Sequence, residues 1–190
     1  MGDVTMPDVT DVELVARAQG GEVDAAGSLY DRHRESVFRY LWLRLGDQQL
    51  AEDLSGDVFT RMLDALPRYQ ALGIPFRAWL YRIAHNLLID HFRKTSQRAS
   101  VPLDVLEDRD DGNDPTLVVE GNLLTEQLMR ALSHLDHNQR EVVTLRFLMG
   151  LSLQEVAQAM DKSEAAVKSL QHRGLTLLRR ALHPVEEQVA

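Results

Sequence analysis

Ser152-Leu-Gln-Glu-Val-Ala-Gln-Ala-Met-Asp-Lys-Ser-Glu-Ala-Ala-Val-Lys-Ser-Leu-Gln-His-Arg-Gly-Leu-Thr-Leu-Leu-Arg-Arg180 reads as two helices and the corner between them. Ser152 is an N-cap, and Glu155 stands where its side chain can return the bond to the cap backbone. The helix it opens, 153–160, meets the tight turn Asp161-Lys162-Ser163, and Ser163 caps a second helix that runs to about 182, before Pro184. On a helical wheel Val167, Leu170, Gly174, Leu178 and Ala181 gather on an inward side. Lys168, Ser169, His172, Arg173, Thr176, Arg179 and Arg180 gather on the other. Two capped helices separated by so short a corner form the outline of a helix-turn-helix.

Working back from this unit, a helix over 139–148 closes at Gly150, and another over about 116–132 ends in a turn at 134–138 whose Asn138 suits an N-cap. Before them lies Ser100-Val-Pro-Leu-Asp-Val-Leu-Glu-Asp-Arg-Asp-Asp-Gly-Asn-Asp-Pro115, with two prolines, a Gly-Asn turn signal and no sustained periodicity. Residues 101–120 hold 7 acids and one base, a balance of −6, whereas 1–100 balance at −2 and 121–190 at 0. The formal charge of −8 is therefore concentrated in a linker, and an acidic chain of this kind does not exclude a nucleic-acid partner.

The N-terminal half reads as four helices. Asp11–Gln19 stops at Gly20-Gly21, and a second helix covers 24–45 with Leu29, Val37, Tyr40, Leu41 and Leu45 inward. A third, 47–66, places Leu50, Leu54, Val58, Met62 and Leu66 four apart, a spacing that no strand satisfies. A loop over 67–75 precedes the fourth, Phe76–Arg98, with Phe76, Leu80, Ile83 and Leu87 inward. The expected fold is all-α: two small helical domains, 10–98 and 117–184, joined by an acidic flexible linker at 99–116, with the helix-turn-helix in the second.

Composition removes several classes of activity. With 44% apolar residues, the 190-residue chain can build a core. It has no cysteine, which eliminates disulfides, thiol nucleophiles and cysteine-ligated metals. Its short apolar runs predict no membrane insertion, and its acidic N-terminus lacks the pattern of a secretory signal. His85 and His91 project from different faces and His134 and His137 straddle a turn, so no metal set is expected. Glu52, Asp53 and Asp57 line one side of the third helix without a neighbouring histidine or nucleophile. That side suits solvent or protein docking better than acid–base work. Hydrolase, phosphate-loop and dinucleotide motifs are absent, so neither an enzyme nor a cofactor is expected.

Two basic stretches remain. Lys168, Arg173, Arg179 and Arg180 stand on the last helix without an acid between them, either as a solvated terminal face or as a DNA-facing one. The fourth helix carries five cations against Asp90, and Trp79, Arg82, Asn86 and Arg93 fall within one arc. An aromatic ring, an amide and guanidinium groups along one stripe can stack on a base, bond its edge and hold phosphates. Core packing for Trp79 and a solvent-facing role for Asn86 are the plainer alternatives.

Ala51-Glu-Asp-Leu-Ser-Gly-Asp-Val-Phe59, Pro75-Phe-Arg-Ala-Trp-Leu-Tyr-Arg-Ile-Ala-His-Asn-Leu-Leu-Ile-Asp-His-Phe-Arg93 and Gln139-Arg-Glu-Val-Val-Thr-Leu-Arg-Phe-Leu-Met-Gly-Leu-Ser-Leu-Gln-Glu-Val-Ala157 follow one another in this order. Together they resemble the extracytoplasmic-function sigma factors, the two-domain members of the bacterial sigma-70 family, over about 11–183. The resemblance implies a cytoplasmic, non-enzymatic subunit that gives core RNA polymerase its promoter choice and answers to an anti-sigma factor. It implies that Asp53, Leu54, Asp57 and Phe59 dock on the largest polymerase subunits. The loop 69–75 and the helix after it would meet the minus-ten element, with a base flipped into a pocket lined by Tyr69 and Asn86. Trp79, Arg82 and Arg93 would complete that surface. Lys168, Ser169, His172 and Arg173 would contact the minus-35 duplex, beside Thr176 and Arg179. Leu170 and Gly174 depart from the family's usual basic or bulky residues, and Asp161-Lys162 replaces its common Leu-Gly turn. Two other readings are a stand-alone helix-turn-helix regulator and a sigma mimic that binds an anti-sigma factor.

Overall fold

The computed structural model describes residues 9–70, 73–98 and 123–182. Among them all regular structure is helical: α1 Asp11–Gln19, α2 Val23–Leu45, α3 Gln48–Ala65, α4 Phe76–Arg98, α5 Leu123–Ser133, α6 His137–Val143, α7 Leu153–Ala159 and α8 Glu164–Leu182. The expected linker, 99–116, and the first residues of the helix expected from 116 lie outside the described residues.

Local chemistry sets most of the boundaries. Thr10 and Glu13 form a reciprocal capping box at the start of α1, with Thr10 N donating to Glu13 Oε2 at 2.8 Å. Gly46 ends α2 in the left-handed region at φ 70° and donates to the Trp42 carbonyl. Asp47 caps α3 through Leu50 N at 3.0 Å. The expected start of α3 at 47 is therefore the cap itself, and its last expected residue opens a 3-10 turn, Leu66–Arg68.

The second bundle departs further from expectation. Asp136, not Asn138, caps α6: Asp136 is extended and its carboxylate accepts from Gln139 N at 2.8 Å, while Asn138 already lies in the first turn. The helix expected over 139–148 does not stay regular either. After Val143 it widens into a π-turn, Thr144–Leu148, with Met149 N bonded to the Thr144 carbonyl at 2.9 Å. Ser152 and Glu155 form the expected capping box on α7, and Ser163 caps α8 through Ala166 N at 3.2 Å. In the corner between them Asp161 takes φ 53°, the conformation that glycine adopts most cheaply.

Helices α1 to α4 pack around Leu29, Val37, Tyr40, Val58, Met62 and Leu80, and α5 to α8 around Leu132, Leu135, Val142, Leu145, Val156 and Val167. The two groups do not stand apart, because α4 lies against α7, α2 meets the π-turn, and the buried residues form one cluster.

The inward side expected for α8 is found: Val167 and Gly174 are buried, while Leu170 and Leu178 pack against the core. Gly174 is where α8 approaches α6, and a Cβ there would sit 3.1 Å from Val143 Cγ2 and 3.5 Å from Gln139 Cβ. We expect Gly174→Val to lower stability by about 1–3 kcal/mol through overpacking, measured as a shift of the denaturant midpoint.

Candidate nucleic-acid interfaces

The loop after α3 is held by its own aromatic residues. Tyr69 stacks within 4.6 Å of Trp79 and 5.9 Å of Phe76, centroid to centroid, and its hydroxyl donates to the Ile74 carbonyl at 2.7 Å. From α1, the Gln19 amide donates to the Leu66 and Tyr69 carbonyls at 2.8 and 2.7 Å. Asp11 anchors α1 in turn to Arg32 and His33 of α2, at 2.8 and 2.9 Å. Burial raises the Asp11 carboxyl, but hydrogen bonds from His33 and Arg32 outweigh it and leave it below its ordinary value.

This scaffold alters the expected minus-ten stripe. Tyr69 is only 8% exposed, because its ring completes the Phe76–Trp79 cluster rather than standing free. Trp79 is half-buried in the same cluster, so core packing and surface display share one residue. Asn86 and Arg93 are exposed on the outer side of α4, and Arg82 is half-buried. Tyr69 lines a cleft of about 500 Å³ together with Gly73, Phe76, Arg77, Glu155 and Gln158. Asn86 lies outside this cleft, so the two residues are not brought into one pocket here.

The far wall of the cleft is α7. Gln158 Nε2 donates to the Gly73 carbonyl at 2.6 Å, and Arg77 Nη2 donates to the Gly150 carbonyl at 2.9 Å. The same guanidinium lies 3.4 Å from Glu155. The first helix of the helix-turn-helix thus covers the segment 73–77 of the first bundle.

On α8 the expected polar side is open. Lys168, Ser169, His172, Arg173, Arg179 and Arg180 are exposed, and Thr176 is half-buried with its hydroxyl on the His172 carbonyl at 2.9 Å. On α3, Asp53 and Asp57 are exposed, but Leu54 and Phe59 are 8% and 4% exposed. Those two belong to the apolar side of an amphipathic helix, and Phe59 stacks edge-on against Tyr30 at 4.8 Å. Their side chains are therefore not presented on the surface expected to dock on polymerase.

One polar cluster escaped the sequence reading. Glu141 of α6 is fully buried. Its Oε1 accepts from the Tyr40 hydroxyl and from His85 Nδ1 at 3.0 Å, and its Oε2 accepts from Arg44 Nε at 2.8 Å. A carboxylate only accepts, so His85 carries a proton on Nδ1. Arg44 Nη2 then lies 2.8 Å from His137 Nδ1, whose ring packs edge-on against Phe92. Burial, then the Arg44 charge, pushes His137 down to about 3, so the neutral ring accepts that bond. Burial pushes the Glu141 carboxyl up, yet His85 and Arg44 more than reverse this and hold it well below the carboxylate range. Burial, followed by the Glu141 charge, keeps the Tyr40 phenol protonated. The available signal was the i,i+4 spacing of Tyr40 with Arg44 and of His137 with Glu141, which put a cation on the apolar side of α2.

Among the described residues no helix is long and apolar enough to cross a membrane, and no cluster of His, Asp or Glu could hold a metal ion.

Comparison with known proteins adds to this geometry. Sigma-70 region 2 matches residues 29–98 and sigma-70 region 4 matches 131–180. The chain is 41% identical over 172 residues to the ECF RNA polymerase sigma factor BldN of Streptomyces coelicolor, across 90% of this chain and 65% of BldN. It is 31% identical to the ECF RNA polymerase sigma factor SigX of Bacillus subtilis, across 85% of both chains. Among solved structures it is similar to CnrH in complex with the cytosolic domain of CnrY, at 26% identity and a TM-score of 0.70, over 93% of this chain and 99% of that one. The chain belongs to the extracytoplasmic-function RNA polymerase sigma factors of the sigma-70 family, proteins that direct promoter-specific transcription initiation.

Proposed function

We propose that this chain binds core RNA polymerase and selects promoters through two DNA contacts, as a cytoplasmic and non-catalytic subunit restrained by an anti-sigma factor. In this reading residues 10–98 dock on polymerase and meet the minus-ten element, 117–184 meet the minus-35 element, and 99–116 connect them. The observation that carries it is the outer side of α8: four exposed cations from Lys168 to Arg180 with no acid between them, on the second helix of a capped helix-turn-helix. Such a helix fits the major groove, where Lys168, Ser169, His172 and Arg173 reach base edges and phosphates.

Four cations neutralise about four phosphates at most, which gives weak binding at physiological salt. Two weak contacts held at fixed separation by polymerase act at high effective concentration, so neither domain needs strong affinity alone. Asp53 and Asp57 supply the polymerase-facing charge on α3. CnrH was solved in complex with the cytosolic domain of CnrY, which supports a protein partner for this chain as well, in this reading an anti-sigma factor.

Run-off transcription with purified core enzyme tests the proposal. We expect promoter-dependent transcripts only when the chain is added; equal initiation by core enzyme alone would overturn it. Asn86→Ala is expected to lower promoter opening by about tenfold, the value of one lost hydrogen bond, while polymerase affinity measured by fluorescence titration stays within about twofold. Lys168→Ala and Arg173→Ala should each reduce the salt slope of holoenzyme–promoter binding by about 1, with the effect of Arg173 dependent on minus-35 sequence if it reads a base.

A further inference from the structure

The buried cluster is asymmetric. Every donor to Glu141 comes from the first bundle: Tyr40 and Arg44 are one turn apart on α2, and His85 faces them from α4. Tyr40 is held by its ring, edge-on to Tyr81 at 5.4 Å, and the Arg44 side chain is 1% exposed. Both carboxylate oxygens are satisfied at once, with a charged donor on one and two further donors on the other. The second bundle contributes the acid, and His137 steadies Arg44 from behind.

We propose that Tyr40, Arg44 and His85 form a receptor for a single carboxylate and that Glu141 is its intramolecular ligand, latching the second domain over segment 73–77 of the first. With the latch engaged, α7 covers Gly73 and Arg77 while the cationic side of α8 stays exposed. This rests on the reading that the loop 69–75 meets the minus-ten strand: the closed chain withholds that contact and leaves the minus-35 helix free. A polar latch suits reversible closure. A buried ion pair recovers little beyond its desolvation cost, so Glu141 and Arg44 can return to water, whereas removing one partner strands the other in the closed state. Polar contacts flank it, Gln158 to Gly73 and Arg77 to Glu155, beside the apolar packing that joins the two bundles.

The chain has no cysteine, so two introduced thiols can be labelled without background. Asp64→Cys on α3 and His134→Cys after α5 are exposed positions outside the cluster. Single-molecule energy transfer between dyes at these sites should give one narrow population for the otherwise unaltered full-length chain. Tyr40→Phe keeps the ring contact and removes one donor to a carboxylate, and should raise the open-to-closed ratio by about tenfold. Glu141→Gln should raise it by more than about a hundredfold and broaden the distance distribution. If both variants keep the narrow population, with helical circular dichroism unchanged, the latch is wrong; should Glu141→Gln lose its helical signal, Tyr40→Phe alone decides. A chain that opens as described but never supports initiation with core enzyme would sink the promoter reading and leave the latch standing. Normal initiation with a latch-insensitive distance would do the reverse.

Discussion

A carboxylate removed from water must be met by donors on every side, and Glu141 satisfies this demand only by reaching into a different bundle from its own. The arrangement of the chain follows from that requirement. Seating Glu141 between α2 and α4 brings the π-turn against α2 and lays α7 along α4. Apolar burial alone would tolerate many relative rotations of two helical bundles, because it is non-directional. Three hydrogen bonds to two oxygens tolerate few. Burying ions costs more than burying methyl groups, and what it contributes here is one defined orientation.

The local structure was legible because short-range chemistry decides it. The Ser152–Glu155 capping box, the four-residue spacing of Leu50, Leu54, Val58 and Met62, and the stop at Gly20-Gly21 each act within one or two turns of helix. Where two short-range signals competed, sequence reading failed: Asp136 and Asn138 are both good caps, and only the backbone path selects Asp136. The widened turn after Val143 left no compositional mark. Its bonds depend on how Leu145 and Leu151 are buried together, which is a tertiary matter.

The candidate site divides in the same way. Residues chosen by helical phase fell where phase puts them, with Asn86 and Arg93 outside on α4 and Lys168, His172 and Arg173 outside on α8. Residues assigned from the resemblance to act in concert were harder to place. Leu54 and Phe59 lie on the apolar side of α3, and Tyr69 is occupied with its own loop. The inter-bundle cluster was invisible because a tyrosine, an arginine, a histidine and a glutamate separated by as many as 101 residues declare nothing until the chain brings them together.

The π-turn Thr144–Leu148 has a geometric effect that extends beyond its five residues. Each residue of an α-helix advances the side-chain direction by about 100°, and a widened turn takes up one residue without completing that advance. Glu141, upstream of it, bonds across to the first bundle, whereas Leu145, within it, is fully buried. Arg146 sits within the widened turn and clasps the Leu151 carbonyl and the Gln171 amide. The extra residue therefore shifts the phase between Glu141, which holds the neighbouring bundle, and the end of the helix that leads to the helix-turn-helix.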